Sequence, residues 1–129
     1  MLKKLFLGAA ISWTFIVLVM CLAPLDGAPK IRIDNFDKYV HATFHFVFTT
    51  LWFLYFRLEF KESAISKALT SAFLFSVSTG IAIEFMQKYF TENRAADPLD
   101  VVANMFGATI AIAFCCYLGS LKIIKNCLK

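Results

Sequence analysis

Four long apolar runs dominate the pattern of hydrophobic and polar positions. Leu5 to Ala23 carries no charge, and Tyr39 to Phe56 carries none beyond what His41 and His45 bear. A third run extends from about Ala64 to Met86, with Lys67 near one end and Glu84 near the other. Val101 to Leu121 is again free of charge. A bilayer core about 30 Å thick needs roughly 20 mostly apolar helical residues, each rising 1.5 Å. The pattern therefore predicts an all-α, polytopic membrane protein with four transmembrane helices in one bundle, at approximately 5–25, 37–57, 64–87 and 98–121. These spans take up most of the 129 residues, so 1–129 reads as a single membrane domain without an internal repeat.

Composition agrees with this. Apolar types make up 60% of the chain and charged types 17%, against about 45–50% and about 25% in a soluble domain. Too few charges remain to solvate the surface of a water-soluble globule, and the chain is too apolar for disorder. Cys21, Cys115 and Cys116 lie inside apolar runs, where thiols act as small hydrophobes. With Cys127 they form no metal-ligating spacing and no disulfide framework. Lys3 and Lys4 before the first run give it the look of a signal peptide, but the run exceeds the usual 7–15 residues, and Met20 precedes Cys21 where a lipoprotein box wants a small residue. The expectation is a retained helix.

Orientation follows from Lys and Arg, which favour the cytoplasmic side. The two tails and the loop between the second and third runs hold eight basic residues, and the other two loops hold five. Both termini of the multi-pass protein are thus expected in the cytoplasm.

With that topology the unusual polar residues gather at the outer face. Asp37, Lys38 and His41 open the second helix, Glu84 and Gln87 close the third, and Arg94, Asp97, Asp100 and Asn104 lead into the fourth. Intramembrane ionisable groups are costly and mark functional sites by default. Helical spacing sharpens the picture. Asp37, His41 and His45 share one face, Ser76, Gly80, Glu84 and Gln87 form a second stripe, and Asp97, Asp100, Asn104, Gly107 and Ala111 a third. Counted from Ala64, Glu84 lies about 30 Å along its helix, at the interface and not at mid-bilayer.

Each residue also has a plainer reading. Asp97-Pro98-Leu99-Asp100 looks like a helix start, with an N-cap, a proline at N1 and an acid in the first turn, so Asp97 reads equally as a cap or as a site residue. Asp37 can flank the start of the second helix, Asn104 can bond between helices, and Gln87 can anchor at the interface. His45 reads as a buried, hydrogen-bonded histidine. Glu84 is harder to dismiss, because an acid within a span requires a partner, and Arg94 and His41 are the nearest candidates.

At these positions the chain resembles the VanZ-like family of small bacterial membrane proteins. Asp37-Lys38-x-x-His41, Glu84-x-x-Gln87 and Arg94-x-x-Asp97-x-x-Asp100-Val-x-x-Asn104-x-x-Gly107 follow the family's three blocks in order. The first helix contributes only hydrophobicity. The resemblance implies an integral membrane protein related to one associated with resistance to the glycopeptide teicoplanin, and it carries over Lys38, His41, Glu84, Gln87, Arg94, Asp100 and Asn104 as signature positions. It implies no catalytic mechanism.

Three functions compete. Lys38 and Arg94 beside a helix N-terminus can hold an anionic group, such as a lipid headgroup or a lipid-linked cell-wall precursor, with Gln87, Asp97, Asp100 and Asn104 completing the ligand-binding set. Alternatively, Glu84 and His41 are the catalytic pair of an intramembrane hydrolase or transferase, although no G-x-S-x-G accompanies them. In the third reading the polar residues only fasten helices in a structural subunit, through contacts such as Glu84–Arg94. His41, His45, Glu84 and Asp100 are conceivable metal ligands, but no H-E-x-x-H is present, and no metal or other cofactor is expected. No Walker motif, GxGxxG or basic nucleic-acid patch appears. Membrane lipids are the expected partners, and oligomeric state is not encoded in any visible pattern.

Overall fold

The computed structural model of the chain describes residues 1–23, 34–60, 65–91 and 97–120. Four helices account for nearly all of them: α1 (Leu2–Leu22), α2 (Phe36–Glu59), α3 (Ile65–Phe90) and α4 (Pro98–Ser120). No strand occurs among the described residues. Three of the four, α1, α3 and α4, are long and apolar enough to cross a membrane. At 24 residues α2 is long enough. It is too polar to count with them because it carries Asp37, Lys38, His41, His45, Thr49 and Thr50 among its aromatics.

That polarity is turned inward. His41, His45 and Thr49 are buried along with Phe48 and Phe53, and α2 packs against each of the other three helices. It is the central post of the bundle. Sequence-adjacent helices run antiparallel, as their contacts show: Lys3 at the start of α1 pairs with Glu59 at the end of α2, and the Trp13 indole donates to the Phe44 carbonyl at 3.1 Å. Thr14 in turn accepts from the Trp52 indole. α3 closes on α2 and α4, α1 leans on α2 and α3, and α1 and α4 share no contact among the described residues.

The stripes of small residues set the spacing. A Cβ on Gly107 would run into the backbone carbonyl of Ala42, so α2 and α4 approach as closely as a glycine permits, the usual device where lipid supplies no hydrophobic drive between helices. Ala68 and Ala72 on α3, with Ala108 and Ala111 on α4, are fully buried. Large side chains such as Phe15, Leu74, Val102 and Phe106 are exposed instead, as a surface in contact with lipid tails requires. Outward threonines satisfy their hydroxyls on their own helices: Thr43, Thr79 and Thr109 each donate to the carbonyl four residues back, at 2.8 Å.

Candidate functional site

The antiparallel order brings the start of α2, the end of α3 and the start of α4 to one end of the bundle. Asp97 joins all three there. It is the N-cap of α4: its Oδ1 accepts the Leu99 N–H at 2.9 Å and its carbonyl accepts the Asp100 N–H. Its Oδ2 accepts from Lys38 of α2 at 2.8 Å, and its own N–H donates to Glu84 Oε2 of α3 at 3.1 Å. The cap and the contacts to Lys38 and Glu84 are therefore one arrangement. The Lys38 ammonium, aided by the Leu99 N–H, holds the Asp97 carboxyl below the usual carboxylate range.

Lys38 reaches a second acid. Its Nζ donates to Asp100 Oδ1 at 3.2 Å, and the Asp100 side chain is 7% exposed against 39% for Asp97. An ammonium has three donors, so one remains beyond these two bonds. The other Asp100 oxygen, Oδ2, lies 3.8 Å from His41 Nε2, and Asp37 Oδ1 lies at the same distance from that nitrogen. On the far side of the ring, His41 Nδ1 is 3.2 Å from Asn104 Oδ1. An amide oxygen only accepts, so Nδ1 carries the proton in this pairing and Nε2 is the nitrogen turned to the two carboxylates.

Two buried polar atoms at this end have no hydrogen-bond partner among the described residues, Glu84 Oε1 and Asn104 Nδ2. Leaving such a group unsatisfied costs about 1–3 kcal/mol. The Asn104 amide lies over Gly80, where a Cβ would sit only 2.9 Å from Nδ2. The glycine makes room for the asparagine that orients His41.

The remaining expected positions are placed differently. Gln87 is buried, and its Nε2 donates at 2.9 Å to the carbonyl of Cys21 in the last turn of α1, one of the carbonyls a helix end leaves open. The described contacts thus tie Gln87 to α1 and not to the acids. His45, one turn deeper than His41, bonds Ser76 at 2.8 Å and stacks on Phe48, the buried, bonded histidine its surroundings suggested. Glu84 finds its partner in a backbone N–H, and no hydrogen bond joins it to His41. Arg94, and with it the expected Glu84–Arg94 contact, lies outside the described residues. Asp37 belongs to the cluster although its spacing also allowed a mere flanking role; its separation of four from His41 was the signal. Asp37, His41 and Asp100 each offer a donor atom within 4.8 Å of the others. The set can hold a cation, accept a proton at Nε2, or present an ammonium to an anion.

Comparison with known proteins places this end in a wider setting. A sequence model of the VanZ/LLP1 family matches residues 6–121. An uncharacterized protein of the fission yeast Schizosaccharomyces pombe is 31% identical over 98 residues, which cover 76% of this chain and 57% of the yeast protein. The chain thus spans little more than half the length of that curated relative. No solved structure matches the chain.

Proposed function

The chain belongs to the VanZ/LLP1 family, and from that premise we propose that it is a four-span membrane protein that binds the phosphate of an anionic lipid headgroup or lipid-linked precursor at one end of its bundle. α2 is the fourth span, since the polar groups along its length, His41, His45 and Thr49, are buried against its neighbours, and Asp37 and Lys38 stand at its end. The surplus of basic residues in the tails and middle loop sets both termini in the cytoplasm, so the cluster of Lys38, Asp97, Asp100, His41 and Asn104 lies among outer-leaflet headgroups. One observation carries the reading: three helices deliver their polar residues to a single depth, with a partly exposed ammonium, Lys38, that keeps a donor for a ligand. The yeast relative favours a headgroup over a peptidoglycan precursor, because a yeast makes no peptidoglycan. Glycopeptide resistance is the special case in which the phosphate belongs to a cell-wall precursor.

Native mass spectrometry of the purified protein with phosphatidylglycerol, a polyprenyl phosphate and phosphatidylcholine tests this. The anionic lipids should be retained in preference to phosphatidylcholine, and Lys38→Gln should reduce that preference roughly tenfold, the effect of one charge-assisted hydrogen bond. Equal retention of all three lipids by the native protein contradicts the proposal.

A catalytic reading, hydrolase or transferase, has one observation in its favour: Asn104 fixes the His41 ring and leaves Nε2 free to act as a base. No hydroxyl or thiol is hydrogen-bonded to His41 among the described residues, so the nucleophile would be water. Headgroup cleavage by the native protein that disappears in both His41→Ala and Glu84→Gln supports it, and no turnover removes it.

A further inference from the structure

We propose that Asp37, His41 and Asp100 bind a divalent cation of the manganese–zinc class, and that this ion receives the phosphate. The second half rests on the headgroup reading above; the first stands without it.

The argument begins with His41. Its side chain is 3% exposed, and the bond from Nδ1 to Asn104 turns Nε2 toward Asp37 Oδ1 and Asp100 Oδ2, both at 3.8 Å. That is too far for a hydrogen bond, and an imidazole nitrogen facing two carboxylates calls for positive charge there, supplied by a proton on Nε2 or by a cation between the three atoms. Two donors bound to one ion at about 2.1 Å stand about 3.0 Å apart at right angles and about 3.6 Å apart at 120°. The two His41–carboxylate separations, 3.8 Å each, lie just beyond that range, and all three donor atoms lie within 4.8 Å of one another, so side-chain adjustment without any movement of the helices closes them on an ion.

A second observation is independent of this triangle. Glu84, 5% exposed, keeps Oε1 without a hydrogen-bond partner, while its other oxygen is fixed by the Asp97 N–H at the same end of the bundle. Glu84 lies outside the three donors that fall within 4.8 Å of one another, and its buried, bare oxygen is an acceptor for a water bound to the ion.

The outer supports of a metal site are present as well. Asn104 orients the histidine, and Lys38 holds the Asp100 oxygen that does not face His41, the kind of arrangement that fixes ligand geometry. One imidazole with carboxylates and no thiolate suits manganese or zinc. His45, bonded to Ser76, is not part of the set, so it differs from the four residues that spacing alone offers. Charge supplies the reason for an ion at an anion's site. Among the described residues of this end, four acids, Asp37, Asp97, Asp100 and Glu84, outnumber the ammonium groups of Lys38 and Lys88, an excess of negative charge that disfavours phosphate and that a divalent ion reduces. Asp37, with its side chain 61% exposed, forms the open rim through which the phosphate would complete the coordination.

The test uses the full chain, purified in detergent and stripped of metal, titrated with Mn²⁺ by electron paramagnetic resonance with Zn²⁺ as competitor. One Mn²⁺ per chain should bind, with nitrogen hyperfine coupling that vanishes in His41→Ala. His41→Ala and Asp100→Asn should each weaken binding at least roughly tenfold. Asp37→Asn, a change at an exposed position that leaves the buried network in place, should weaken it as well, and Glu59→Gln at the other end should not. No Mn²⁺ binding, or native affinity in Asp37→Asn and Asp100→Asn, overturns the site. Lipid retention is then measured with and without chelator. Retention lost on chelation supports both halves. Retention that survives chelation in a protein that binds no metal leaves the headgroup reading standing and ends this one. Metal binding without anionic-lipid preference does the reverse.

Discussion

Where α2 ends and α3 begins, Phe53, Ala68, Ala72 and Cys115 close a buried core, with Trp52, Phe56, Phe60 and Leu69 packed around it. The charged contact described there is Lys3 with Glu59, both partly exposed at the rim. Where α2 and α4 begin, by contrast, His41, Glu84, Gln87, Asp100 and Asn104 are all buried. The same three helices build both ends, so nothing in the topology demands polarity at one of them. Apolar packing evidently suffices to hold α2, α3 and α4 together, whereas buried charges carry a desolvation cost that well-packed apolar residues avoid. On the proposed reading the polar end is there to bind, and the apolar end to hold the helices in place.

Substitutions at the two ends should separate these roles. The largest effect is expected where the helices touch most closely. Gly107→Leu sets a side chain against the Ala42 backbone, which no rotamer change relieves, and should cost more than about 3 kcal/mol, read as loss of folded, monodisperse protein. Phe53→Ala opens a cavity in the apolar core and should cost about 3 kcal/mol in thermal unfolding, with lipid preference unchanged in the protein that remains folded. Asn104→Ala should reverse that balance. It leaves the buried His41 Nδ1–H without its partner, at about 1–3 kcal/mol, yet its larger effect is to free the His41 ring, which should weaken ligand binding roughly tenfold. If Asn104→Ala merely destabilises, the polar end is a fastening and the structural reading wins.

The smallest effect is in pH. Asp97 has its carboxyl lowered by Lys38 from an ordinary value of 3.8. A carboxyl lowered on folding contributes stability that is fully present above its ordinary value and is lost as pH falls through its lowered one. Acid unfolding of the native protein should show this loss below the ordinary value, and Asp97→Asn should not show it.

Much of this arrangement is legible in the sequence, because membrane helices declare themselves by length and their faces by period. The helix bounds fall within a few residues of expectation, the stripes through His41, through Gly80 and Glu84 and through Asn104 and Gly107 do face inward, and the Asp-Pro start of α4 is a cap. Other features depend on how each helix is rotated against its neighbours, which period alone does not fix. Gln87 and Glu84 share a stripe, yet one is tied to the Cys21 carbonyl of α1 and the other to the Asp97 N–H. Both of those partners are backbone groups, invisible to any pattern of side chains. That the lysine of the second helix would bridge two acids of the fourth was equally hidden, since it depends on the close approach that Gly107 permits.

The most direct test of the convergence is zero-length carbodiimide coupling, which joins an ammonium to a carboxylate only where the two are paired. Applied to the purified protein and followed by peptide mass spectrometry, it should link Lys38 to Asp97 or Asp100, joining α2 to α4, alongside a Lys3–Glu59 link at the other end. A Lys3–Glu59 link in a preparation where Lys38 couples to neither aspartate would show that the bundle forms without gathering its polar residues, and would contradict the account.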